Sequence, residues 1–199
     1  MSNALQLIFV IIALLASLIN LVRRQWLVNV IALAIQYLAV FLLLTTVRPL
    51  GFAVIKLLVG WMSTLTILVT LTSLGTMQSV EFDWHLTPGE VFRLLAGVFG
   101  IVLLFFFINT LQSILFPATG IYLLMAALGL MVIGVLQLGM KNEPLYIVIA
   151  LLTFLSGFEL LYASLELSTV LEALFAAVDL GLALIGAYFI VKEEERITG

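Results

Sequence analysis

The sequence predicts an all-α, polytopic membrane protein with seven transmembrane helices. Of its 199 residues, 64% are hydrophobic and 10% charged, where a soluble domain carries about 25% charged residues. Mean hydropathy is +1.32. The apolar residues fall in runs of 18 or more, and about 20 residues at 1.5 Å each cross the hydrocarbon core. An outer-membrane barrel would instead alternate over segments of about ten residues.

The helices are expected at 4–22, 26–47, 50–74, 88–116, 120–140, 144–165 and 170–191. The opening MSNALQ carries no Lys or Arg before the first run, so that run is expected to remain as a span and not to be removed as a signal peptide. Arg23-Arg24 ends the first helix, and Arg48-Pro49 separates the second from the third. GTMQSVEFDWHLT, residues 75–87, is the long loop. Thr87-Pro88-Gly89-Glu90 then opens the fourth helix as a capping box with Pro at the first helical position. Pro117 and Gly120 bracket the next turn, and Lys141-Asn142-Glu143-Pro144 makes the one after, with Pro144 suited to a first helical turn. The last break has no Gly or Pro. Thr169-Val170-Leu171-Glu172 is a second capping box, which places a tight hairpin near 166–169.

Orientation follows from Lys and Arg beside the spans. With the N-terminus outside, Arg23, Arg24, Arg93, Lys141, Lys192 and Arg196 gather inside. Arg48 alone stays outside, and Lys56 is intramembrane. The expectation is N-out and C-in, in an inner, cytoplasmic cell membrane.

Several classes of chemistry drop out. There is no cysteine, hence no disulfide, thiolate metal site or iron–sulfur cluster within the chain. No Ser-His-Asp set, phosphate-cradling Gly loop or His pair occurs, so no catalytic residue, cofactor or metal is assigned. Net charge is -3, and no basic patch supports nucleic-acid binding. His85 beside Asp83 reads as a surface histidine. Asn29, Gln36, Tyr37 and Asn109 read as interhelical hydrogen-bonding residues. Gly181, Ala183, Gly186 and Ala187 are small enough to let a neighbouring helix approach closely.

The charged residues inside the spans carry the functional reading. The stretch GFELLYASLELSTVLEALFAAVDLG, residues 157–181, holds Glu159, Glu166, Glu172 and Asp179. Glu166 and Glu172 fall at the last turn, Glu166 as a solvated or headgroup residue and Glu172 in the capping box. Glu159 and Asp179 lie roughly 9–14 Å inside the same end of their helices, at 1.5 Å per residue. A carboxylate there costs roughly 2.5–3.5 kcal/mol on insertion scales. Two at matched depth are expected to face protein or water, either on an ion path or as protonated helix glue. Lys56, about seven residues inside the third helix, either snorkels to the interface or forms an ion pair or proton relay with a carboxylate of this chain or a partner.

Two short patterns carry a resemblance. Gly157-Phe158-Glu159-Leu160-Leu161, followed by Val178-Asp179-Leu180-Gly181, is similar to the small three-helix, K-type subunit of respiratory complex I and the C subunit of multisubunit sodium/proton antiporters. The chain as a whole resembles component E of hydrogenase-4. That family sets a Lys in its third span within a pattern like Phe52-Ala53-Val54-Ile55-Lys56-Leu57-Leu58-Val59, and has Ala-Thr-Gly where this chain has Ala118-Thr119-Gly120. Asp179 stands where the complex I subunit has Glu, and the connection between the two acids is shorter here. By this resemblance the family's acid before the last span corresponds to Glu172 rather than Asp179. The resemblance implies a four-helix region at 1–116 and a three-helix module at 117–199. It implies a non-catalytic subunit of a complex I-related assembly, with antiporter-like membrane subunits as partners. Glu159, Asp179, Lys56 and Glu172 would then serve a proton or sodium path. A structural subunit and an independent small transporter are the alternatives. Spans one to three weakly echo spans five to seven, both triplets starting outside, so any repeat is parallel and not the inverted kind of rocking transporters.

Overall fold

A computed structural model describes residues 3–74, 87–117, 119–165 and 168–198. Among these, the chain is all-helical: α1 (Asn3–Val22), α2 (Trp26–Leu44), α3 (Leu50–Ser73), α4 (Pro88–Leu115), α5 (Ile121–Met140), α6 (Pro144–Leu165) and α7 (Thr169–Thr198). All seven are long and apolar enough to span a bilayer. His85 and Glu166 lie outside the described residues.

Helix ends follow local chemistry. α4 starts on the expected capping box: the Thr87 backbone N–H donates to Glu90 Oε2 at 2.9 Å, and the Glu90 N–H donates to Thr87 Oγ1 at 3.4 Å. α2 stops three residues short of the expected end. The Thr45 and Thr46 hydroxyls donate to the Leu42 and Leu43 carbonyls at 2.7 Å each, the local bonding by which such residues compete with a helix. α7 runs on to Thr198 through Lys192-Glu193-Glu194-Glu195-Arg196, since Lys, Glu and Arg are good helix formers. It also starts at Thr169, one residue earlier than expected.

α1 packs on α2 and α5, α3 on α2 and α7, and α6 on α5 and α7. Contacts therefore run across the 116/117 boundary. Glycine sets the α5–α6 approach. A Cβ on Gly157 would stand 2.5 Å from the Ala127 carbonyl oxygen and 2.9 Å from the Met131 nitrogen. One on Gly134 would stand 2.8 Å from the Phe154 nitrogen. On α7, Gly186 faces Val148 closely, while a Cβ on Gly181 would meet nothing.

One apolar core, including Val10, Leu14, Leu124, Leu130 and Leu160, fills the space among α1, α2, α4, α5 and α6. A second, including Leu33, Ile67, Ile149 and Leu152, lies among α2, α3 and α6. α4 and α7 are the least enclosed, and on α4 Phe92, Phe99, Phe105, Phe106 and Phe107 are all exposed. Asn109 is exposed on the same helix.

The two ends of the bundle differ. At one end the last carbonyls of α1 accept from three later helices. Asn20 O takes Gln137 Nε2 at 2.9 Å and Lys141 Nζ at 2.7 Å. Val22 O takes Arg93 Nη1 at 3.0 Å, and Arg23 O takes Lys141 Nζ at 2.5 Å. The Tyr146 hydroxyl donates to Arg24 O. These donors satisfy carbonyls that the helix leaves without partners, and the cations suit its negative end. Asn29 turns to this end too, donating to Arg23 O at 3.1 Å. At the other end Thr119 and Ser164 share a hydrogen bond of 3.0 Å, and Arg48 meets Glu172.

Candidate functional site

The α2–α3 and α6–α7 turns lie at the same end of the bundle. About two helical turns inward from each, α3, α6 and α7 converge on a charged cluster. Lys56 projects from α3, Glu159 from α6 and Asp179 from α7. The Lys56 ammonium is 2.6 Å from Glu159 Oε2, and it forms an ion pair and hydrogen bond with Asp179 Oδ2. Lys56 and Glu159 are each 8% exposed and Asp179 is fully buried. Both carboxylates thus share one cation at one depth, and Lys56 points inward to them, not outward to the interface.

The surroundings fix this geometry. The Tyr37 ring lies 5.2 Å from the Lys56 ammonium, a cation–π contact that adds a little attraction where few other groups reach. Phe175 of α7 stacks edge-on against Phe158 and Tyr162 of α6, with centroids 5.8 and 5.6 Å apart. That contact locks the α6–α7 seam beside Glu159. Further in, Thr153 donates to Gln36 Oε1 at 3.4 Å, an α6–α2 bond of the expected interhelical kind.

Charge counting is the chemical content of the site. One ammonium and two carboxylates sum to one negative charge when all are ionised. A lone buried charge is expensive, and the group changes protonation or gains a partner instead. Glu159 Oε1 and Asp179 Oδ1 are buried and have no hydrogen-bond partner among the described residues. Those oxygens can take one proton or coordinate one small cation, which brings the cluster to neutrality.

Glu172 occupies a different place. Its Oε1 lies 3.1 Å from Arg48 Nε. The sequence places Glu172 in a capping box, and in the structure its carboxylate reaches across to the α2–α3 turn. Glu172 and Arg48 border a cavity of about 130 Å³ whose lining also includes Lys56 and Glu159. Sequence reasoning placed Arg48 only as a turn residue. Its signal was position, a guanidinium at the same end of the bundle as Glu172. Tyr37 was expected as a hydrogen-bonding residue, and its role beside the ammonium was missed. Lys141 was read as a loop cation and is instead buried under the end of α1.

Comparison of the chain with protein-family models, curated proteins and solved structures returned no match.

Proposed function

We propose that this chain is an ion-translocating membrane subunit of a complex I-related assembly, one that passes protons or sodium ions by way of Lys56, Glu159 and Asp179. The observation that carries this reading is the buried cluster of one cation and two carboxylates, each carboxylate with one unpartnered oxygen. Intramembrane ionisable groups facing the bundle interior are costly to insert and characteristic of ion pathways. The resemblance to component E of hydrogenase-4 and to the K-type subunit of complex I supplies the kind of partner, antiporter-like membrane subunits. The topology that goes with this reading is N-out and C-in, in the inner cell membrane. Arg48 and Glu172 then sit at the outer face, and Arg93 and Lys141 at the inner one.

A scaffold role is the second reading. It is favoured by the closed ion pairs themselves, since Lys56 is held by two helices and could serve only to lock α3 onto α6 and α7. Ion uptake into vesicles containing the assembled complex separates the two. Glu159→Gln keeps the side chain's shape and hydrogen bonding but removes its titration. Assembly retained with uptake lost supports translocation. Full uptake in that variant makes Glu159 helix glue. Lost assembly with no separate uptake defect makes the chain a scaffold.

A further inference from the structure

The cluster is not equally enclosed on its two sides. On one side lies a plug in which Leu33, Ile67, Ile149 and Leu152 are fully buried. That layer also holds buried polar side chains, among them Gln36 and Thr153, whose hydroxyl donates to the Gln36 amide oxygen at 3.4 Å. On the other side lies the cavity of about 130 Å³. Its lining includes Lys56, Glu159, Ala53, Ala163, Arg48 and Glu172. At about 30 Å³ per molecule it has room for roughly four waters. Arg48 stands two residues before α3, and Lys56 lies about 9 Å of helical rise inside it, while along α7 Glu172 precedes Asp179 by about 10 Å. The Arg48–Glu172 pair therefore lies between the charged cluster and the end of the bundle. Arg48 is 7% exposed and joined to Glu172 at 3.1 Å.

We infer that the cluster exchanges its cation through this cavity with the membrane face bearing the α2–α3 and α6–α7 turns, and that the Arg48–Glu172 pair closes the route. The inference rests on the ion-translocating reading for its purpose, though not for its geometry. While paired, the two charges cancel and tie α7 to the α2–α3 turn. When they part, Glu172 offers a carboxylate to the incoming cation and the entrance widens. Delivery to the opposite face then requires a rearrangement of the packed layer beyond the cluster or a path through a partner subunit.

The natural absence of cysteine makes the test clean. Single cysteines at Ala53 and Ala163 are placed in the full chain within its complex in sealed vesicles. A charged, membrane-impermeant methanethiosulfonate is added to one face at a time. Modification is expected from the face bearing Arg48 and Glu172. Adding Glu172→Gln should speed it about tenfold, the shift that about 1.4 kcal/mol of lost pairing produces. The reversed pair, Arg48→Glu with Glu172→Arg, should restore the slow rate, which guards against a merely misfolded single variant. Modification from the opposite face alone, or by lipid-soluble reagents alone, overturns the access route. A rate unchanged by Glu172→Gln overturns the gate. These readouts need no transport. If Glu159→Gln transports normally while the labelling behaves as expected, the translocation reading falls and the access route stands.

Discussion

The Lys56 ammonium lies 2.6 Å from a Glu159 carboxylate oxygen while also holding Asp179, so one cation serves two acids from two different helices. This makes charge balance the quantity that mutations at the site will read. Each substitution changes both the net charge of a buried cluster and the number of helices it ties together.

Lys56→Met removes the shared cation and leaves two facing carboxylates. Breaking a buried pair in this way typically costs about 3–5 kcal/mol. The variant should unfold at a lower temperature in detergent, and its complex should lose ion uptake. Adding Asp179→Asn should recover part of the stability and none of the uptake. Uptake intact in Lys56→Met would assign the residue to the lipid interface.

Glu159→Gln behaves differently, because Lys56 and Asp179 then balance one to one. Its thermal stability should equal or exceed that of the unmodified chain while translocation falls. Glu159→Asp keeps the titration on a shorter stem and should retain part of the activity. Calorimetry or fluorescence-detected unfolding alongside vesicle uptake measures both. A large loss of stability in Glu159→Gln would refute the charge count.

Gly157→Ala tests the α5–α6 approach. The added methyl would meet the Ala127 carbonyl oxygen at 2.5 Å and Leu130 Cβ at 2.9 Å. Overpacking of this kind costs about 1–3 kcal/mol, and the helix must move away with Glu159 two residues along. The expected result is a lower unfolding temperature together with reduced uptake.

Lys141 gives a pH dependence away from the charged cluster. Burial first, then the neighbouring Arg93 guanidinium, push its ammonium down from the usual 10.5 to about 7. The unfolded chain therefore binds more protons than the folded one between about pH 7 and 10.5, and stability from this group rises with pH across that window. Below about pH 7 its contribution is flat. In Lys141→Met the rise should disappear, and the whole curve should drop because the contacts to Asn20 O and Arg23 O are gone. Unfolding temperature against pH for both proteins decides it.

The proposed topology has its own check. Single cysteines at Ser2 and Thr198 should react with an impermeant reagent from opposite faces, with Ser2 outside. Labelling from the same face would mean an even number of spans.

Much of the architecture was readable before any coordinates. The seven apolar runs and the Arg, Pro and Gly breaks between them locate the helices. The Thr87–Glu90 capping box is local chemistry that needs no tertiary context. The matched depth of Glu159 and Asp179 followed from their distances to a single short turn. Other features needed the packing. Periodicity within α3 cannot say which helix Lys56 faces, so its partners stayed open among this chain and others. Arg48 and Glu172 are distant in sequence, and only the adjacency of α7 to the α2–α3 turn brings them to 3.1 Å. Lys141 looked like a loop cation because the need it meets, unsatisfied carbonyls at the end of α1, belongs to another helix.

The shared grip on Lys56 has a consequence for biogenesis. Glu159 follows Lys56 by 103 residues and Asp179 by 123, so at about 5–20 residues per second the ribosome supplies the first of these acids roughly 5–20 s later. During that interval α3 enters the insertion machinery bearing an unneutralised cation. The segment must be accepted on the strength of its remaining apolar residues, against a cost of about 2.5–3.5 kcal/mol. Completion of α6 is therefore the event that first matches the lysine, and α7 adds the second acid. A nascent chain that stops short of α6 displays an unmatched charge within the membrane.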